Sequence, residues 1–313
     1  MKQYLLKQAV MNKVLYALLP IVLFSIFLFG WRTLIVVLFT NCVAFITEFM
    51  MVRKKTMPKV SMAVFVTGTL LALTLPPTIP LWIAGVSAVI GVLFGKMVFG
   101  GFGTNVFNPA IVGRTFVYIS FPKEMTVSWV KPFTDFPGGF LHYQTIEAFQ
   151  KITSASPVGI MKSGETYNHL SNLFWGFIPG SIGETSAFLI LLAAIYLIIT
   201  KTAKWQAMLS CLLSFVLFTV LFDSSLTLIY LLSGGFLFGT VFMITDPISM
   251  AKTNAGIWIY GLIVGFLTVF IRKFSLFSEG FMFALLLGNT FMPIIDYAIQ
   301  KIKIKTALQG ASK

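Results

Sequence analysis

The sequence predicts an all-α integral membrane protein: ten transmembrane helices in two inverted five-helix repeats, with one long outer loop between the repeats. Three observations carry this expectation. The 313 residues are 57% hydrophobic and only 11% charged, with a mean hydropathy of +0.90, whereas soluble domains are about a quarter charged. Apolar runs recur at lengths suited to a bilayer, about 20 residues each. Short motifs recur in the same order in the two halves.

The apolar runs cover 14–30, 33–50, 60–75, 80–99, 107–120, 185–200, 205–222, 226–243, 257–271 and 281–299. The first lacks a small-residue cleavage site and is followed by another span, so it reads as a helix and not a cleaved signal. The third and fifth are short for a span. Short or Gly/Pro-interrupted segments at membrane depth are expected to be broken helices that line a cavity, because lipid cannot satisfy exposed backbone.

Basic residues set the expected orientation. With ten spans, both termini and the even-numbered loops share one side. That side collects Lys2, Lys7, Lys13, Arg53, Lys54, Lys55, Lys59, Lys96, Lys201, Lys204, Lys252, Lys301, Lys303, Lys305 and Lys313. The other side has Arg32, Lys123, Lys131, Lys151, Lys162, Arg272 and Lys273, several of them beside acidic residues. The richer side is expected to be cytoplasmic. The chain then divides into a first membrane repeat (1–120), an outer loop (121–184), a second membrane repeat (185–300) and a basic cytoplasmic tail (301–313).

The repeat rests on Trp82-Ile-Ala-Gly85 followed by Asn105-Val-Phe-Asn-Pro109, matched by Trp258-Ile-Tyr-Gly261 followed by Asn289-Thr-Phe-Met-Pro293. Five spans per repeat is an odd number, so the halves would insert with opposite topology and hold a site at their interface. Chance similarity between two apolar sequences is the competing explanation.

The net charge of +13 does not indicate a nucleic-acid partner. The basic residues flank apolar runs instead of forming one face, an arrangement that suits anionic lipid headgroups. Cys42 and Cys211 lie inside apolar runs without metal-ligand spacing and read as small hydrophobes. An iron–sulfur site completed by a paired subunit stays open. His142 and His169 show no zinc spacing, and the chain has no nucleophile elbow or P-loop. Redox or transport chemistry would need a borrowed cofactor.

The densest local pattern is GKMVFGGFGTNVFNPAIVGR, residues 95–114. Gly100, Gly101 and Gly103 permit tight turns, and Asn105 and Asn108 place amides at a helix start. Close helix packing explains the same glycines. Arg114 is expected inside a span, where its cost calls for a polar partner or ligand. In FMITDPISMAKTN (242–254), Asp246 either caps a turn or, with Thr245 and Asn254, faces a cofactor or cation. Glu184, in GSIGETSAF (180–188), is placed to offset a helix dipole. Glu48 and Asp296 sit near span ends, within reach of solvent. A polar island, FQKITSASPVGIMKSGETYNH (149–169), interrupts the outer loop with a knot of hydroxyls.

Read together, LTLPPTIPLW, FGGFGTNVFNPAIVGR, GSIGETSA, TDPISMAKTNAGIWIYG and EGFMFALLLGNTFMPIID resemble the D subunit of the Rnf complex, an ion-translocating ferredoxin:NAD oxidoreductase. Its family includes the B subunit of the sodium-pumping NADH:quinone reductase. The resemblance runs over nearly the whole chain. It implies ten helices in inverted repeats in a bacterial or archaeal cytoplasmic membrane, and partner redox subunits that couple electron transfer to Na+ or H+ translocation. It also implies a covalent FMN, joined through its phosphate to a hydroxyl of the outer loop. The family's attachment segment reads Asp, two variable residues, Ser or Thr, a small residue, Ala, then Thr. Laid on this chain, Thr153, Ser154 and Ala155 precede Ser156 at the acceptor position, while Gln150 stands where the pattern has Asp. A second, non-covalent flavin is also compatible with the resemblance. The absence of a long N-terminal extension favours the Rnf type. Two rival classes, a flavin-free solute transporter and an assembly subunit, fit the same inverted-repeat design without a flavin.

Overall fold

The computed structural model describes residues 5–6, 8–53, 59–143, 153–154, 156–162, 167, 169–223, 227–233, 235–277 and 279–311. Each apolar run becomes helix: α1 (Ala9–Phe29), α2 (Arg32–Val52), α3 (Ala63–Leu73), α4 (Leu81–Val92, continued by a π-helical turn Leu93–Met97), α5 (Pro109–Ser120), α6 (Ala187–Ile199), α7 (Trp205–Asp223), α8 (Thr227–Leu232), α9 (Phe236–Phe242), α10 (Asn254–Phe274) and α11 (Phe281–Ala311). Five of these, α1, α2, α7, α10 and α11, are long and apolar enough to cross a membrane. The α-helical class is as expected. Among the described residues, strand is confined to two-residue pairs: β1 (Leu5–Leu6) parallel to β2 (Val60–Ser61), and β3 (Trp129–Val130) antiparallel to β4 (Thr153–Ser154).

The breaks have local causes. After α3 comes Pro76-Pro77, which cannot continue a helix. The carbonyls freed there are bound by Arg32, whose Nη2 donates to Ile79 O (2.7 Å) and Nε to Pro77 O (3.2 Å). Gly100, Gly101 and Gly103 follow the π-turn with φ of 112°, 110° and 93°, a region closed to most side chains. Pro109 then opens α5 at its first position, and Asn108 Oδ1 accepts from Ala110 N (3.0 Å) and Ile111 N (3.4 Å), a strong helix-start signal. The eighth run, expected as one span, gives α8, which ends at Leu232, and α9, which starts at Phe236 after Gly235, glycine being a poor helix residue.

Within the first half, α4 packs on α2 and α5. Within the second, α10 packs on α7 and α11. Small residues let these helices approach closely. A Cβ at Gly91 would lie 3.3 Å from Gly113 Cα, and one at Gly265 would lie 2.8 Å from Ser214 Cβ. The halves meet where α1 packs on α6 and α5 on α11. Described parts of the 121–184 segment cover one end of the bundle: Phe133 N donates to Leu28 O (2.9 Å), and Trp31 Nε1 donates to Phe140 O (2.7 Å). At the other end of α1, Lys13 Nζ donates to Thr200 O (3.2 Å).

Several charged residues expected at solvated flanks are buried instead: Arg32, Glu48, Lys96, Arg272 and Asp296. Each is held by backbone or by a neighbouring helix, which sequence position alone does not reveal. Asp296 accepts from Lys252 N (2.6 Å), Thr253 N (3.1 Å) and Thr253 Oγ1 (2.5 Å), tying α11 to the start of α10. The basic stretch 301–311 is helical and continues α11.

Candidate functional site

The described residues offer two candidate regions. The first is a central cavity lined by residues of both halves of the chain. It forms where the glycine-rich loop of the first half meets the Asp246-Pro247 turn of the second. Asn105, Asn108, Thr245, Asp246, Lys96 and Phe102 supply its polar and aromatic lining. Lys96 Nζ lies 2.6 Å from Glu48 Oε2 and 2.6 Å from Ser61 Oγ. Glu48 Oε1 in turn accepts from Ser61 N and Oγ, both at 3.0 Å. Asp246 caps its own turn, accepting from Ile248 N (3.2 Å) and Ser249 Oγ (2.8 Å). Burial pushes its carboxyl above the ordinary range, against the pull of those donors and of Lys252. Thr245 Oγ1 donates to Val241 O (2.7 Å).

Of the candidates read from sequence, Asn105, Asn108, Thr245 and Asp246 therefore share one cavity. Gly100, Gly101 and Gly103 shape the loop that carries Asn105 but do not line the space. Asn254 is exposed at the start of α10. Arg114 lies elsewhere. From α5 it reaches both oxygens of Glu184 (Nη1 to Oε1; Nη2 to Oε2 at 3.1 Å) and Oε2 of Glu279. The helix start at α6 is capped by Ser186, whose Oγ accepts from Leu189 N (3.4 Å). Glu184, expected from its position to offset the helix dipole, is an ion-pair partner of Arg114. Gly235 closes over this cluster, since a Cβ there would lie 2.5 Å from Glu184 Oε1.

The second region is a narrow cleft lined by Ser156, Trp129, Ser181, Glu184 and Glu279 among others. Ser156 stands at its wall, immediately before the short helix Pro157–Lys162, and its Oγ accepts from Gly159 N (3.2 Å). Thr153 and Ser154 run in β4 against Trp129–Val130. Ala155 and Gln150 lie outside the described residues. The outer-loop hydroxyl and the ion cluster of Arg114 thus meet at one cleft, a juxtaposition invisible in sequence because Glu184 and Glu279 lie 70 and 165 positions from Arg114. Sequence reasoning misses Lys96, Glu48 and Glu279 as site residues. The available signal is an ionisable residue inside or beside an apolar run.

Both regions can be tested for fit to a flavin. At Ser156, a Cβ on Gly159 would sit 3.3 Å from the hydroxyl oxygen, so the glycine leaves open the space a phosphoester would fill. The central cavity offers amides, a hydroxyl and a carboxylate around an apolar chamber, a donor set suited to a polar-edged ring.

A broken-helix membrane protein with a cavity between its halves and a hydroxyl-lined cleft at one end defines the class. The chain belongs to the NQR2, RnfD, RnfE family, which it matches over residues 3–305. It is similar to the B subunit of the Na(+)-translocating NADH-quinone reductase of Azotobacter vinelandii, 36% identical over 255 residues, covering 78% of this chain and 61% of the relative. The subunits of the same name from Chromohalobacter salexigens and Yersinia pestis are 38% and 33% identical, covering 78% and 82% of this chain and 60% and 63% of the relatives. The chain spans about three-fifths of the length of these relatives. They carry the name of the quinone reductase's B subunit and not that of the Rnf complex's D subunit, which the sequence motifs suggest.

Proposed function

We propose that this protein is an electron-carrying membrane subunit of a cation-translocating oxidoreductase, with FMN esterified through its phosphate to Ser156. The observation that carries the reading is the position of Ser156. Its hydroxyl faces a cleft shared with Glu184 and Glu279, beside the space that Gly159 leaves open. The bound flavin would supply one- and two-electron chemistry that no side chain of this chain provides. The Gly159 amide, which donates to the Ser156 hydroxyl, is placed to hold a phosphate oxygen once Ser156 is esterified, and Arg114 pairs with the two carboxylates that line the same cleft.

The chain is read with ten membrane crossings in two inverted repeats, both termini cytoplasmic and residues 121–184 outside. Two features support this. In each W-I-x-G, the glycine faces the second helix of its own half: Gly85 faces Phe39 of α2, and Gly261 faces Ser210 of α7. The tryptophans lie at opposite ends of the bundle. Trp82 packs edge-on against Phe121 at the covered end, whereas Trp258 packs against Trp205 at the other. The central cavity is the candidate seat for a second, non-covalent flavin, held by Asn105, Asn108, Thr245 and Asp246. The coupled cation is Na+ or H+.

The sequence motifs point to an Rnf-type complex, passing electrons between ferredoxin and NAD. The relatives' names favour a second reading, an NADH:quinone reductase with Na+ as coupling ion. Affinity purification of the tagged chain from its own membranes separates the two by the redox subunits recovered with it. The flavin itself is tested on a denaturing gel of protein made with the flavin-attaching enzyme. Fluorescence that survives SDS and is lost in Ser156→Ala supports the electron carrier. Its absence from the wild-type chain returns the protein to the flavin-free transporter or assembly class.

A further inference from the structure

A third cavity, of about 180 Å³, lies near the Ser156 cleft and is used by nothing described so far. Its lining includes Met161, Phe215, Thr219, Tyr230, the buried Arg272 and the exposed Lys273. Met161 lies on the short helix that Ser156 caps, five positions further on, about 7.5 Å along the axis at 1.5 Å per residue. Gly280, next to Glu279 of the cleft, presses on Arg272: a Cβ there would lie 3.3 Å from Arg272 Cγ. The Ser156-capped helix and the Glu279-Gly280 step thus each reach from one space to the other.

Arg272 is the unusual feature of this wall. It is 4% exposed and has no salt bridge among the described residues. Nη1 and Nη2 donate to the carbonyls of Tyr230 (2.7 Å) and Ser233 (3.3 Å), and Nε has no hydrogen-bond partner among the described residues. The guanidinium lies 5.5 to 5.9 Å from the ring centres of Phe215, Tyr230 and Phe236. Carbonyl dipoles and aromatic faces offset part of the cost of a buried cation. The Glu279 and Glu184 carboxylates of the neighbouring cleft also attract the guanidinium, and its Nε–H is left unused beside an aromatic-walled space. That combination suits a flat ring able to carry negative charge.

We propose that this cavity seats the isoalloxazine ring of the flavin tethered at Ser156, and that Arg272 stabilises the charge the ring gains on reduction. The inference rests on the reading of Ser156 given above. Two-electron reduction adds two electrons and one proton to the ring and leaves one negative charge on it. A fixed cation in a low-dielectric wall favours that form over the neutral oxidised one. Partner redox subunits supply the electrons in the complex, and dithionite supplies them in the test.

The test uses the full chain made with the flavin-attaching enzyme, with in-gel fluorescence confirming attachment in every variant. In a redox titration, Arg272→Gln is expected to lower the reduced-to-oxidised ratio at a fixed potential about tenfold, about 30 mV for a two-electron couple. Arg272→Lys should shift it less. Independently, Thr219→Trp fills the cavity and should make the attached flavin more readily quenched by iodide. Attached flavin whose potential and quenching are unmoved by these changes overturns the ring seat and leaves the Ser156 attachment standing. No attached flavin in the wild-type chain sinks the Ser156 reading, and the ring seat with it.

Discussion

Lys96 and Arg114 are both buried cations on the first half of the chain, yet they are neutralised in different ways. Lys96 meets one carboxylate, Glu48, and one hydroxyl, Ser61, both from its own half. Arg114 meets two carboxylates, Glu184 and Glu279, both from beyond the first half. The first arrangement builds a wall of the central cavity. The second fastens α5 to the segment before α6 and to the loop before α11, and so fixes one wall of the Ser156 cleft. The same requirement, charge balance out of water, gives a local pair in one place and a cross-chain clasp in the other.

This contrast can be broken by substitution. Arg114→Met leaves two carboxylates buried without their cation. It is expected to cost at least the 3–5 kcal/mol typical of a broken buried pair, read as a large fall in Tm in detergent or a failure to accumulate. Lys96→Met should cost less, about 3 kcal/mol, because Glu48 keeps the Ser61 N–H and hydroxyl as donors. Equal losses for the two variants would contradict the distinction. Gly235→Ala pushes a methyl into the Arg114 clasp and is expected to cost about 1–3 kcal/mol by overpacking. A bulk-neutral control is Gly101→Ala, where the space is empty but φ is 110°. Its cost, from backbone strain alone, should be about 1 kcal/mol, visible in the same melting experiment. Smallest is Ser156→Ala. It removes only the cap of a six-residue helix, about 1 kcal/mol or less, and should leave Tm nearly unchanged while abolishing flavin fluorescence.

Hydropathy locates the apolar helices, because burial in lipid imposes a length and composition that a single sequence displays. The Asn108-Pro109 start of α5 is equally legible, since capping is a property of adjacent residues. The need of Arg114 for a partner follows from its cost, but the identity of the partners does not. Glu184 resembles a helix cap and Glu279 an ordinary loop residue until folding brings them together. Lys96 and Glu48 resemble flanking charges for the same reason. The start of α9 after Gly235 is foreshadowed by that glycine, but the run stays apolar across it and reads as one span. The clustering of Asn105 and Asn108 with Thr245 and Asp246 joins segments about 140 positions apart and, like the cavity behind Ser156, has no signature in the sequence.

The account stands on Ser156. Digestion of the chain made with its flavin-attaching enzyme, followed by mass measurement of the peptide that contains Ser156, tests it directly. The account predicts a peptide heavier by one FMN less one water, with fragmentation placing the addition on Ser156. A peptide found only at its unmodified mass would contradict it.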